Sequence, residues 1–198
     1  MIGTRTEVLH GRSSEGLSWA TRLAGRVLLA NVLLVLCSQI AFPLPWTPVP
    51  LTLQTFGVLL IAVFFGARAS ALAALLYLVE GAAGLPVFQP FGAPGAARLF
   101  GPTAGYLLAF PVAAFVAGRL AEILSARAGA GRGIFAWLRI AAALLCSEAI
   151  IVVSGWAWLA LLLGGGAALT QGVLPFLAGD FLKVAAVATI ARSLPAKS

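Results

Sequence analysis

The chain has few charged residues: 10% of its 198 residues are Asp, Glu, Lys or Arg, against 61% that are hydrophobic. Soluble globular domains carry about a quarter charged residues, so this composition excludes an ordinary soluble fold and indicates that the bilayer is the solvent. A membrane-spanning helix takes about 20 apolar residues. The length therefore leaves room for about six spans and for no soluble catalytic or nucleotide-binding domain beside them.

Residues that catalyse reactions or bind metals are also scarce. The single histidine, His10, lies in a polar N-terminal segment, and Cys37 and Cys146 lie in separate apolar runs without CxxC spacing. No Ser or Thr has a basic partner at a recognisable spacing, and no GxxxxGKS or GxxxxGKT loop is present to hold ATP phosphates. The sequence therefore predicts no catalytic residues, no metal site, no cofactor and no ATPase activity.

The apolar residues fall into six runs, which predict an all-α bundle of six transmembrane helices in a single domain. Residues 43–50 contain too many prolines to continue a helix, so they form a surface connection. There is no internal repeat of the kind that many secondary transporters contain. A flexible N-terminal tail is expected at 1–18, followed by spans at about 22–42, 50–67, 69–84, 103–124, 134–163 and 173–192.

The basic residues indicate an orientation. All of them except Arg98 and Lys183 lie at the termini or in the connections that follow the second and fourth predicted spans. Cytoplasmic segments of membrane proteins carry an excess of Lys and Arg. We therefore expect a multi-pass protein of the cytoplasmic membrane, with the lipid bilayer around it and both termini inside. The scatter of these residues argues against nucleic acid as a partner.

The charged residues inside the last two spans are candidates for a binding site. Asp180 and Lys183 share one helical face, and charges within a bilayer are costly unless they pair or meet a polar ligand. They form either a plain ion pair or the wall of an outward-facing pocket, in which Asp180 accepts ligand N–H groups and Lys183 or Arg98 attracts an anion. Glu148, in the fifth span, either neutralises Lys183 or carries a proton.

The connection at 85–102 is apolar and rich in Gly and Pro, unlike a solvated loop. We expect it to fold back over the helix ends as a re-entrant segment or lid, the alternative being a loop that lies at the membrane interface. Arg98 would then contact a ligand or remain a surface cation. Gln54, Gln89 and Tyr106 are candidate neutral hydrogen-bonding groups of the same pocket.

Four segments resemble the BioY family in their order and spacing: 48–56 (PVPLTLQTF), 84–88 (GLPVF), 101–107 (GPTAGYL) and 179–183 (GDFLK). The resemblance covers roughly residues 20–192. It implies a six-helix S-component of an energy-coupling-factor (ECF) transporter that binds biotin on the outer side. Such subunits work with a transmembrane coupling (T) subunit and two cytoplasmic ABC-type ATPases. The resemblance also places Arg98, Asp180 and Lys183 in the ligand-contacting region, with a cation for the valerate carboxylate and Asp180 for the ureido N–H groups.

Ala20 and Ala24 lie four residues apart in the first apolar segment, where small residues let helices approach closely. Similar alanine pairs dock the coupling subunit in S-components, although the spacing also arises by chance in a chain this rich in alanine. Three alternatives stay open: an S-component for another small vitamin, a membrane-embedded enzyme, and a structural subunit of a larger complex. The missing nucleophile and metal motifs argue against the enzyme, and the four segments argue against a purely structural role.

The segregation of the basic residues generates a prediction about topology. In a variant that lacks Cys37 and Cys146, the substitutions Ser13→Cys and Ala93→Cys should be labelled by a membrane-impermeant reagent from opposite sides, Ser13→Cys from the cytoplasm. Labelling of both positions from one side would contradict the orientation.

Overall fold

In the computed structural model the protein is a bundle of helices. The structure describes the backbone of residues 4–127 and 133–193 and the side chains of residues 19–124 and 133–193. The helices are α1 (Thr4–Gln39), α2 (Gln54–Phe65), α3 (Ala67–Ala82), α4 (Ala104–Arg127), α5 (Ile134–Leu163), α6 (Gly165–Gly172) and α7 (Leu177–Ser193). The predicted all-α fold is confirmed.

Two connections contain further short elements. Between α1 and α2, strands β1 (Ala41–Phe42) and β2 (Leu51–Thr52) pair antiparallel on either side of the proline-rich segment. Between α3 and α4, residues Gly95–Phe100 form a 3-10 helix. Proline has no N–H to donate, which explains why the residues between β1 and β2 join neither a helix nor a strand.

The six predicted spans correspond to α1 to α5 and α7, but six membrane crossings are not confirmed. Within the described residues, three stretches are long and apolar enough to cross alone: Trp19–Gln39 in α1, Ala104–Leu124 in α4, and α5. Helices α6 and α7 qualify together as a fourth crossing, bent by 51°. Helices α2 and α3 have 12 and 16 residues, or about 18 and 24 Å against a hydrocarbon core of about 30 Å.

Two predicted irregular segments are helical instead. Helix α1 begins at Thr4, so residues 4–18 of the tail expected at 1–18 are helical. No proline precedes Pro43, and isolated Gly, Ser and Thr residues each lower helix stability by only about 1 kcal/mol or less, so the helix continues through them. In the segment expected as a loop at 164–172, only Gly164 departs, with φ +84°, and α6 follows at once.

Small residues let helix α4 pack closely against its neighbours α2, α3 and α5. Ala113, Ala114 and Ala117 are completely buried. A Cβ atom on Gly118 would lie 2.5 Å from the backbone nitrogen of Ala67, at the start of α3. Close approach of this kind is typical of helices that associate within lipid, where van der Waals packing drives association.

Many large apolar side chains point away from the bundle. Leu161 is 81% exposed, and Leu29 and Val79 are each 64% exposed. A soluble protein rarely leaves so much apolar surface in water, whereas lipid covers it without cost. The exposed surface therefore agrees with the composition in indicating a membrane protein.

Candidate functional site

A cavity lies among α2, α4, α5 and α7, next to the connections that carry β2 and the 3-10 helix. It contains about 550 Å³ of empty space, including the part open to solvent. A mainly apolar wall with a few polar groups is typical of sites for small molecules. Its lining includes Thr52, Gln54, Thr55, Gln89, Thr103, Tyr106, Leu107, Phe110, Glu148, Ile151, Val152, Phe176, Asp180 and Lys183.

Asp180 and Lys183 form an ion pair that is part of the cavity wall. Lys183 Nζ donates to Asp180 Oδ1 at 3.0 Å and to Thr55 Oγ1 at 3.1 Å. The two side chains are only 10% and 11% exposed. Asp180 lies in the first turn of α7, where the helix dipole favours a negative charge. The ion pair that was one of the two alternatives from the sequence is therefore present, and it lines a cavity.

Glu148 lies in the same cavity and has no such partner. Glu148 is only 4% exposed, and neither of its carboxyl oxygens makes a hydrogen bond with the described residues. Lys183, the cation that the sequence offered for it, makes its hydrogen bonds with Asp180 and Thr55 instead. Of the two alternatives for Glu148, the structure thus does not favour neutralisation of Lys183.

Gln54 and Tyr106 also line the cavity, and each is held by a hydrogen bond. Gln54 Nε2 donates to the hydroxyl of Tyr77 at 2.7 Å. The Tyr106 hydroxyl donates to the backbone oxygen of Gly172 at 2.7 Å. The Tyr106 ring lies against Gly155, where a Cβ atom would come within 2.1 Å of it. Both polar groups therefore have fixed positions before any ligand arrives.

Arg98 is not among the residues that line the cavity, although the sequence placed it in the binding site. It is 6% exposed, and its guanidinium donates to three backbone oxygens of its own loop. Nε reaches Ala93 O at 2.8 Å, Nη2 reaches Gln89 O at 3.1 Å, and Nη1 reaches Phe91 O. Irregular loops offer many carbonyl groups that helices and strands have not used, and a buried arginine with five donors satisfies them.

These bonds fold the loop around its own arginine. The guanidinium also lies 6.0 Å from the centre of the Phe88 ring. Gly92, at φ +106°, lets the chain turn so close that a Cβ atom there would lie 3.1 Å from Nη1. Burial lowers the pKa of Arg98 from its ordinary value, yet arginine stays protonated in proteins. The loop therefore folds back on the bundle, and through Gln89 it forms part of the cavity wall.

Hydrogen bonds attach both ends of this loop to neighbouring helices. At its start, Ser38 Oγ of α1 donates to Val87 O at 2.6 Å, and Gln39 Nε2 donates to the same oxygen at 3.1 Å. At its end, Trp158 Nε1 of α5 donates to Gly101 O at 2.9 Å. The connections after α1, α3 and α5 therefore meet at one end of the bundle.

Sequence reasoning missed several residues of the cavity. Thr55 has a recognisable signal, because it is a polar residue in the first turn of the otherwise apolar helix that begins at Gln54. Phe110, Ile151 and Phe176 carry no such signal. They look like other apolar residues of membrane helices, and only the packing of α4, α5 and α7 brings them to one cavity.

Apolar helices around a partly open cavity with a few fixed polar groups are the features of a membrane-embedded protein that binds a small molecule. Comparison with known proteins identifies the group to which it belongs. The model of the BioY family matches residues 11–197, and the chain is a member of that family. The resemblance noted in the sequence is confirmed.

Individual relatives agree with this assignment. A protein of Pyrococcus horikoshii named as a probable biotin transporter BioY is 41% identical over 147 residues, which are 74% of this chain and 81% of that protein. The biotin transporter BioY of Rhizobium etli is 32% identical over 170 residues, which are 84% of this chain and 89% of that protein. A crystal structure of the S-component for biotin from an ECF-type ABC transporter superposes with a TM-score of 0.77 at 21% identity. The superposition covers 91% of this chain and 94% of that one. The protein therefore has the S-component fold.

The position of Arg98 generates a prediction about the loop. Arg98→Ala removes the donors of three backbone carbonyl groups, of which the Gln89 bond is fully buried and the other two are partly buried. Each is a bond to a charged group, worth about 1.5–3 kcal/mol. We expect the apparent Tm in detergent to fall by about 5–10 °C and amide hydrogen exchange to rise at 88–95. Arg119→Ala, at a 61% exposed side chain, is the control and should change neither. Unchanged exchange at 88–95 in Arg98→Ala would contradict the role of Arg98 in folding the loop.

Proposed function

We propose that this protein captures biotin in the cavity and serves as the substrate-binding subunit of an ECF-type transporter. The observation that carries the proposal is the Asp180–Lys183 pair, which is part of the wall of an otherwise mainly apolar cavity. Relatives that are named as biotin transporters support it, and the S-component fold agrees with it. The role is binding and transport, not catalysis.

The chemistry of biotin suits this cavity. Its cyclic urea has two N–H donors beside one carbonyl oxygen, and its fused ring and side chain are apolar. Asp180 Oδ1 accepts a hydrogen bond from Lys183, and a carboxylate has further lone pairs for a ligand N–H group. Phe110, Ile151 and Phe176 supply apolar surface for the rings. We therefore assign the ureido end to the Asp180–Lys183 pair.

The carboxylate end of biotin then lies towards the outer connections. Biotin is extended, so its carboxylate cannot reach Lys183 while the urea contacts Asp180. Arg98, which the sequence offered for this role, is engaged with its own loop. Thr52 and Gln89 line the cavity from the two connections and carry neutral hydrogen-bonding groups. We infer that these groups, with solvent at the open part of the cavity, accommodate the carboxylate.

Transport requires partners in this proposal. The sequence has no phosphate-binding loop of the GxxxxGKS or GxxxxGKT type, so energy must come from a coupling (T) subunit and two cytoplasmic ATPases. Ala20 and Ala24 are exposed on α1, as a docking surface for the T subunit requires. The same proposal sets both termini on the cytoplasmic side and the loop at 85–102 outside.

Calorimetry with purified protein tests the proposal directly. The unchanged protein should bind biotin, and Asp180→Asn should weaken binding by about one to two decades, because a hydrogen bond to a charged group is lost and Lys183 loses its counter-charge. Glu122→Gln removes a carboxylate from the partly exposed end of α4. It is the charge-matched control and should bind normally.

Two outcomes would contradict this assignment. The proposed substrate is wrong if the unchanged protein does not bind biotin. If a double substitution of Asp180 to Asn and Lys183 to Met restores near-normal affinity, the two residues only neutralise one another and do not contact the ligand.

The docking proposal predicts a different pattern for α1. Ala20→Trp or Ala24→Trp should impair biotin uptake in cells and co-purification with the coupling subunit, because the added bulk separates two closely packed helices. Binding by the isolated subunit should stay near normal. Leu29→Trp, at an exposed position on another side of α1, is the control. Normal uptake by both alanine variants would exclude this surface as the dock.

A further inference from the structure

Glu148 is the one polar side chain of the described residues that is both buried and without a hydrogen bond at its charged atoms. Its two carboxyl oxygens are enclosed and make no hydrogen bond of normal geometry with the described residues, although Asp180 and Thr55 lie beside them. The residue is 4% exposed and lines the cavity. Buried polar groups in native proteins are nearly always hydrogen-bonded, and leaving one unpaired costs about 1–3 kcal/mol or more. A carboxyl group in this state, facing a cavity, indicates that its partner is the molecule that fills the cavity.

The groups around Glu148 determine which form of the carboxyl group fits. Its polar neighbours are Asp180 and Lys183 of α7 and Thr55 of α2. The cation among them is already paired with Asp180 at 3.0 Å. An ionised Glu148 would give this cluster two negative charges and one positive charge inside a membrane-embedded bundle, where an uncompensated charge is costly. A neutral carboxyl group leaves the cluster balanced.

A neutral carboxyl group offers a donor beside an acceptor, whereas an ionised carboxylate offers acceptors alone. One edge of a cyclic urea presents the complementary pair, an N–H group beside the carbonyl oxygen. Two parallel hydrogen bonds can therefore form between them. The second N–H group of the urea remains for the Asp180 carboxylate, which has no donor and needs none. Glu148 and Asp180 can therefore bind different edges of the same urea group.

We propose that Glu148 is a further specificity-determining contact of the ligand. Its neutral carboxyl group donates to the ureido oxygen and accepts one ureido N–H, while Asp180 accepts the other. The inference rests on the proposed function, since it takes biotin as the ligand. It makes the cavity selective for molecules that carry N–H groups on both sides of a carbonyl group.

The first test compares three variants by calorimetry with biotin. Glu148→Ala should bind about 10- to 100-fold more weakly than the unchanged protein. Glu148→Gln should recover most of that loss, because the amide also places a donor beside an acceptor. Ser147→Ala is the neighbouring control: Ser147 is buried and bonds to Ala143 O of its own helix. It should bind normally.

Equal affinity of Glu148→Ala and the unchanged protein would overturn the contact. A Glu148→Gln variant as weak as Glu148→Ala would overturn the neutral form, since it would show that the charge is needed. Failure of the unchanged protein to bind biotin would remove the proposed function and this inference together. Biotin binding by the unchanged protein therefore separates the two failures.

The second test uses the ligand to distinguish contact from support of the fold. Two biotin derivatives, each methylated at one ureido nitrogen, remove one N–H group at a time. Against one of them Glu148→Ala should cause little further loss of affinity, and against the other it should cause most of the loss seen with biotin. The same loss against both derivatives would assign Glu148 a structural role and overturn the proposal.

The thermal stability of the ligand-free proteins completes the test. If the carboxyl group of Glu148 supports the fold, its removal should lower the apparent Tm. The proposal expects Glu148→Ala without biotin to unfold at or above the Tm of the unchanged protein, because an unpaired buried polar group is lost. Biotin should raise the Tm of Glu148→Ala by less than it raises the Tm of the unchanged protein. A large fall in the Tm of both Glu148→Ala and Glu148→Gln without biotin would contradict the proposal.

Discussion

A charge buried among membrane helices needs a partner, and the cavity and its covering loop both depend on this constraint. The cost of an uncompensated ion in a low-dielectric medium exceeds that of most other defects in a fold. Lys183 meets the requirement through Asp180 and Thr55, which creates a polar patch on the cavity wall. Arg98 meets it through backbone carbonyl groups, which gives an otherwise irregular loop a defined shape. The carboxyl group of Glu148 makes no hydrogen bond with the described residues.

Close helix packing holds these charged groups at fixed distances. A Cβ atom on Gly105 of α4 would lie 2.4 Å from the backbone oxygen of Ser154 on α5, so these helices can meet only where the side chain is absent. The Tyr106 ring packs against α5 at Gly155 in the same way. Because α5 carries Glu148, the contact with α4 determines how far that carboxyl group reaches into the cavity. Apolar packing therefore positions the polar site.

Helix α1 connects the two surfaces on which the proposed transport cycle depends. Ser38 and Gln39, at its end, donate to the loop beside the cavity. Ala20 and Ala24 are exposed about 20–30 Å away along the same helix axis. Helix α1 therefore joins the loop beside the cavity to the surface that we propose for docking.

The sequence by itself determined the solvent, the family and the approximate positions of six helices, but not α6 or the first turns of α1. Composition fixes the bilayer as the environment, apolar runs locate helices, and the order of four short motifs identifies BioY. It also placed Asp180 and Lys183 together, because a spacing of three residues on a helix is a local property. Only the tertiary structure decided the rest. Arg98 donates to backbone carbonyl groups of its loop, and because every residue type carries a carbonyl group, no sequence pattern predicts these bonds. The absence of a hydrogen bond at Glu148 depends on which helices pack around it.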